Sequence, residues 1–236
     1  MKKTINVSNQ GATLDTGRRN FLKLGGIGLA MAGLTLIGCD DDDFEFPVNG
    51  QVFDLGTGDV GVLNYAYALE QLEADFYTKV VNNFYPGISS VEKEIFTDLY
   101  HHEVIHRDFF KAAITGATTN VLPKLEFQYP NVNFSDRNSV LATAKALEDT
   151  GVAAYNGAGK YITNPAYLVI AGKIVSVEAR HASAIRNIIN PGSTDFSGDD
   201  VIDANGLDFA KEPKDIVMAA GGFIKTPFTW KERGIS

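Results

Sequence analysis

Apolar residues recur at helical spacing in four separate segments of the chain, and each run is interrupted by an acid. Leu63, Ala66, Glu70, Ala74 and Tyr77 fall along one line, and Leu99, Glu103, His106 and Phe110 along a second. Leu141, Ala144, Glu148, Val152 and Tyr155 form a third, and Ile174, Glu178, His181, Ile185 and Ile188 a fourth. Steps of three, four and seven residues keep side chains on one face of an α-helix, so each segment predicts a helix.

Local signals set the boundaries. The first helix is expected over residues 59–83, ahead of Pro86 and Gly87. Ser89-Ser90-Val91-Glu92 reads as a capping box opening a second helix, which runs to about residue 115 and stops at Gly116. The third is expected over residues 135–162, and the fourth begins with Asn164 as N-cap and Pro165 in the first helical position, ending at Asn190-Pro191-Gly192. Gly151, Gly157 and Gly159 weaken the third helix, and close packing against another helix is the expected reason for them.

The connections fix the arrangement. Short links join the first helix to the second and the third to the fourth, so each pair should fold as an antiparallel hairpin. Residues 117–134, with Pro123 and Pro130, are too long for a simple turn and should travel the length of the bundle. The expected fold is therefore all-α: a four-helix bundle over residues 59–190 made of two hairpins and a long crossover. Residues 191–236 read as an irregular C-terminal extension with a short helix near 215–224, docked by Phe228 and Trp230.

The acids in the apolar lines carry the chemistry. Glu103 and His106, like Glu178 and His181, are three residues apart, a rotation of about 300° that leaves both side chains on one face. Burying a carboxylate without a partner costs several kcal/mol even after relaxation, so each needs a counterion, and a divalent metal is one. The halves also echo each other: Glu70 precedes Tyr77 by seven residues, as Glu148 precedes Tyr155. Two such hairpins face to face would bring four glutamates and two histidines to one centre. Glu73, one turn from Glu70, is an alternative ligand; His102, one turn from His106, is either a ligand, a supporting residue or a surface group. Tyr77 and Tyr155 are either plain core residues or orient carboxylates. The bland alternative is a buried Glu/His hydrogen-bond network that holds no metal.

Over residues 59–190 this pattern resembles the ferritin-like di-iron carboxylate superfamily, and in particular its exported, desiccation-related group. The resemblance implies Glu70 and Glu148 as terminal carboxylates, Glu103 and Glu178 as bridges between two metals, and His106 and His181 as one imidazole for each metal. Relatives often hold an aspartate just before each Glu-x-x-His, where this chain has His102 and Val177. Two iron ions are the implied cofactor, with manganese as the alternative, because carboxylate-rich sites favour these metals. The implied activity is that of an oxidoreductase acting on O2, peroxide or Fe(II). A non-catalytic envelope protein that protects or binds on the same scaffold is the alternative.

Charge and the N-terminus add an address. Residues 1–38 hold five basic residues and one acid, which leaves 16 basic against 28 acidic residues in the remainder. Such a surface excludes a nucleic-acid partner. Arg18-Arg19-Asn20-Phe21-Leu22-Lys23, an apolar stretch to Gly38 and then Cys39 resemble a twin-arginine signal ending in a lipobox. That resemblance implies export, removal of residues 1–38, lipidation of Cys39 and a membrane anchor at the cell envelope, followed by an acidic, Gly-rich tether over residues 39–58. The twin-arginine route carries folded cargo, often with a cofactor already in place. Cys39 is the only cysteine, which excludes an internal disulfide framework and a cysteine-rich metal site.

Overall fold

The computed structural model describes residues 52–236. The expected signal, Cys39 and most of the expected tether lie outside the described residues. Five α-helices and two short strands are present in this part of the chain. Strand β1 is Phe53–Asp54, and helices α1 (Gly58–Asn82), α2 (Ser90–Ala117), α3 (Arg137–Ala158) and α4 (Pro165–Ile189) form the bundle. A short helix α5 (Pro213–Ala220) and strand β2 (Phe228–Thr229) follow.

Helices α2, α3 and α4 begin where their capping chemistry puts them. Ser89 Oγ accepts from the Glu92 amide at 3.1 Å, and the Glu92 carboxylate accepts from the Ser89 amide at 3.0 Å. Asp136 caps α3 through the Ser139 amide at 2.7 Å, and Asn164 caps α4 through the Ala166 amide at 2.9 Å. Helix α3 ends earlier than the periodicity predicts. It closes at Ala158 and tightens into a 3-10 turn over Gly159–Tyr161, because two glycines within three residues lower the preference for another α-helical turn.

The most extensive helix packing lies within the hairpins α1–α2 and α3–α4. The hairpins share one apolar core, and polar ties close its two ends. Asp59 at the start of α1 accepts from the Thr163 and Asn164 amides at 2.6 and 3.0 Å, and at the far end Arg137 of α3 donates to Glu92 of α2 at 2.7 Å.

The crossover runs along α1, held by two buried amide side chains. Asn64 donates to the Leu55 and Asn120 carbonyls at 3.0 and 2.8 Å and accepts from the Leu122 amide at 2.9 Å. Two turns on, Gln71 accepts from the Leu125 amide at 2.9 Å and donates to the Pro123 carbonyl at 3.2 Å. A chain with no regular structure of its own has its backbone groups satisfied by side chains of the helix beneath it.

The C-terminal extension is folded onto the bundle. Trp230 is completely buried against Tyr65, with ring centroids 5.3 Å apart, while Phe228 is half-buried. Strand β2 pairs in parallel with β1, and Leu55 is fully buried, so the last residues of the expected tether belong to the folded body. Gly157 admits the extension's backbone: a Cβ there would lie 1.7 Å from the Lys211 carbonyl oxygen. Its expected role in helix packing is thereby corrected. Arg186, buried in α4, forks onto Asp149 of α3 at 2.9 and 2.7 Å and onto Asp200 of the extension at 2.9 Å through two nitrogens. Among the described residues no helix is long and apolar enough to cross a membrane.

Candidate metal centre

The four interrupted stripes face one another across the bundle interior. Glu103 and His106 project from one turn of α2, Glu178 and His181 from one turn of α4, Glu70 from α1 and Glu148 from α3. All four carboxylates are fully buried, and each imidazole is 4% exposed. Leu99, Phe110, Ile174 and Ile185 continue the stripes on either side and are buried as well, so the polar groups sit inside an apolar sleeve.

Within that sleeve the six residues form two overlapping groups. His106 Nδ1 lies 3.0 Å from Glu178 Oε1, 3.4 Å from Glu70 Oε2 and 3.6 Å from Glu103 Oε2. His181 Nδ1 lies 2.8 Å from Glu103 Oε1, 3.4 Å from Glu148 Oε2 and 3.7 Å from Glu178 Oε2. Glu103 and Glu178 therefore turn one oxygen to each side. Each group of four ligand atoms fits within 4.8 Å, the span of one ion's coordination sphere.

None of these eight inward atoms makes an aligned hydrogen bond. Buried polar atoms are normally paired, and a whole set left unpaired and converging requires an explanation. Charge supplies it. Four buried carboxylates face only two groups able to carry positive charge, so even two imidazolium ions leave an excess of negative charge. Two divalent cations with neutral imidazoles balance the four carboxylates. Hard oxygen donors and one imidazole on each side suit iron or manganese. The residues present fit such a pair, and the buried cluster is compatible with a two-metal site.

Protonation of the metal-free centre follows from the same crowding. Burial, with the neighbouring carboxylates Glu178 and Glu103 adding to it, pushes Glu70 up to about 8 against the pull of His106. Burial likewise pushes Glu148 up to about 8 against the pull of His181. Burial opposes charge on His106 and His181, but the surrounding carboxylates outweigh it and raise both imidazoles. Burial also works against the Glu103 carboxylate, yet its contacts with the two histidines hold it below the usual range.

A further ring of residues orients these groups. Tyr77 donates to Glu148 Oε1 at 2.5 Å, and Tyr155 donates to Glu70 Oε1. Both phenols are raised well above their ordinary value, by burial first and then by the carboxylate each one meets, so they stay protonated as donors. Both hydroxyls therefore meet carboxylates of the centre rather than apolar core alone. His102 Nδ1 lies 2.9 Å from His181 Nε2 with the rings nearly parallel, while its own edge is exposed. It thus sits behind a candidate ligand, outside both groups. With a metal on Nδ1 of His181, the proton would sit on Nε2 and point to His102, which would fix the tautomer. Glu70 belongs to the His106 group, whereas Glu73 is buried beside the centre and belongs to neither group.

The family described as a ferritin-like domain matches residues 58–191, more than half of the chain, and the protein belongs to that family. No curated protein matches it in sequence.

Proposed function

We propose that this chain is an exported, lipid-anchored oxidoreductase whose bundle holds a pair of iron ions, with manganese as the alternative metal, and that it acts on O2, peroxide or Fe(II) at the cell envelope. One observation carries the reading: Glu103 and Glu178 each present one oxygen to the His106 side and the other to the His181 side. Shared carboxylates are what two neighbouring cations require. Export and anchoring are supported by Arg18-Arg19, the apolar stretch and Cys39.

When bound, two redox-active ions side by side supply the two electrons that carry peroxide, with two protons, to water. The protein's own residues do the remaining work. Glu70 and Glu148 hold the outer edges of the centre in orientations set by Tyr155 and Tyr77. Leu99, Phe110, Ile174 and Ile185 exclude water above and below. A proton on His181 Nε2 would rest against His102 Nδ1, and His102 itself is exposed to solvent.

The test is turnover. Protein loaded with Fe(II) should consume O2 or peroxide faster than free Fe(II) does, and Glu103→Ala with Glu178→Ala should abolish the difference. Loaded protein that holds its metal without accelerating either reaction contradicts the catalytic reading. Cys39→Ala should move the protein from the membrane to the soluble fraction.

A further inference from the structure

The candidate ligands and the two tyrosines correspond between the hairpins, but two polar positions beside them have no counterpart. Glu70 matches Glu148 and Tyr77 matches Tyr155, but one turn past the first glutamate Glu73 is matched by Gly151, and the residue before each Glu-x-x-His is His102 in one hairpin and Val177 in the other.

These exceptions are connected in space. A Cβ at Gly151 would lie 3.0 Å from Glu73 Oε1 and 3.7 Å from Glu178 Oε2, so the missing side chain clears the room that the extra carboxylate uses. Glu178 Oε2 is the oxygen turned toward His181, and His181 is the imidazole that His102 supports from behind. Both departures from two-fold symmetry therefore fall on the same side. Glu73 itself is 3% exposed, and among the described residues no hydrogen bond or ion pair involves it. A buried carboxylate without a donor or cation carries a large desolvation cost. Neither of the cations around Asp149 offsets it: Arg186 is committed to Asp149 and Asp200, and Lys145 to the same two acids.

We propose that the two metal positions are unequal, and that Glu73, admitted by Gly151, is an added carboxylate for the divalent cation on the His181 side, making that position the tighter of the two. The proposal rests on the two-metal reading above. It assigns Gly151 a specific purpose, which is to leave space for Glu73.

Titration of the metal-free protein with Mn(II) tests it, with bound metal read by calorimetry and by the loss of the free-ion paramagnetic signal. Wild type should fill in two distinguishable steps. Glu73→Gln keeps the shape and removes the charge; it should weaken the first step by about 10–100-fold and the second by no more than about threefold. In a His106→Ala background, which leaves the His181 side, Glu73→Gln should weaken the remaining ion; in a His181→Ala background it should change nothing. Gly151→Ala, which crowds Glu73 Oε1, should act in the same direction as Glu73→Gln and serves if that variant does not fold. Two ions in wild type with both steps unmoved by Glu73→Gln, or moved equally, overturn the proposal and leave the two-metal reading standing. Fewer than two ions in wild type overturn both.

Discussion

Tyr77 reaches across the bundle to Glu148, its hydroxyl 2.5 Å from Oε1, so the tyrosine of one hairpin orients the carboxylate of the other. Tyr155 returns the arrangement to Glu70. The repeated seven-residue spacing from glutamate to tyrosine is thus a device for crossing between hairpins, and each half of the centre depends on the other half for its geometry.

Replacing either tyrosine by phenylalanine leaves a buried carboxylate oxygen without its donor. Such a loss costs about 1–3 kcal/mol, and loss of an orienting partner lowers metal affinity by about 10–100-fold. Urea denaturation of the metal-free protein and a metal titration should show both effects for Tyr77→Phe and for Tyr155→Phe. Unchanged stability and affinity would mean that the tyrosines merely fill space.

Stability and metal affinity should respond to pH in opposite directions. Glu70 and Glu148 titrate near 8 in the folded metal-free protein, well above an unfolded glutamate. A raised folded value stabilises fully below the unfolded value near 4.5, and that stabilisation is lost as pH rises through about 8. The raised histidines act in the same sense. Metal-free protein should therefore melt at lower temperature as pH rises from about 5 to about 8. Metal must displace the same protons, so its affinity, and the rise in melting temperature it causes, should grow over that interval. Calorimetry in buffers of different ionisation enthalpy should register proton release on binding at neutral pH; no release would contradict the assigned protonation.

Gly157→Ala should detach the C-terminal extension without disturbing the candidate metal ligands. A Cβ at 1.7 Å from the Lys211 carbonyl oxygen cannot be accommodated unless that strand of backbone moves away. The expected loss is about 1–3 kcal/mol, typical of overpacking. Limited proteolysis should cut the variant within residues 200–236 much faster than wild type. Equal resistance would show that the extension adapts in place.

Helices and candidate ligands are legible in this chain for one reason. An acid inside an apolar stripe of helical period stands out, and its burial follows from the stripe, as for Glu103 between Leu99 and His106. Partners far apart in sequence leave no such trace. Asn64 and Gln71 also interrupt apolar runs, but their bonds go to the crossover backbone more than fifty residues away, which no period encodes. Gly157 marks a close approach, yet the sequence does not say to what, and the partner is the extension rather than a helix. The role of His102 depends on the rotation of α2 relative to α4, which only the packed bundle sets. Arg186 looks like a surface residue in sequence because its acidic partners, Asp149 and Asp200, lie on other segments.

Metal content decides the central claim. Protein reconstituted with Fe(II) under argon, freed of loose metal and analysed by elemental mass spectrometry should hold two ions per chain, and the Glu103→Ala, Glu178→Ala double variant should hold none. A wild-type value far below two, from folded protein, would contradict the account.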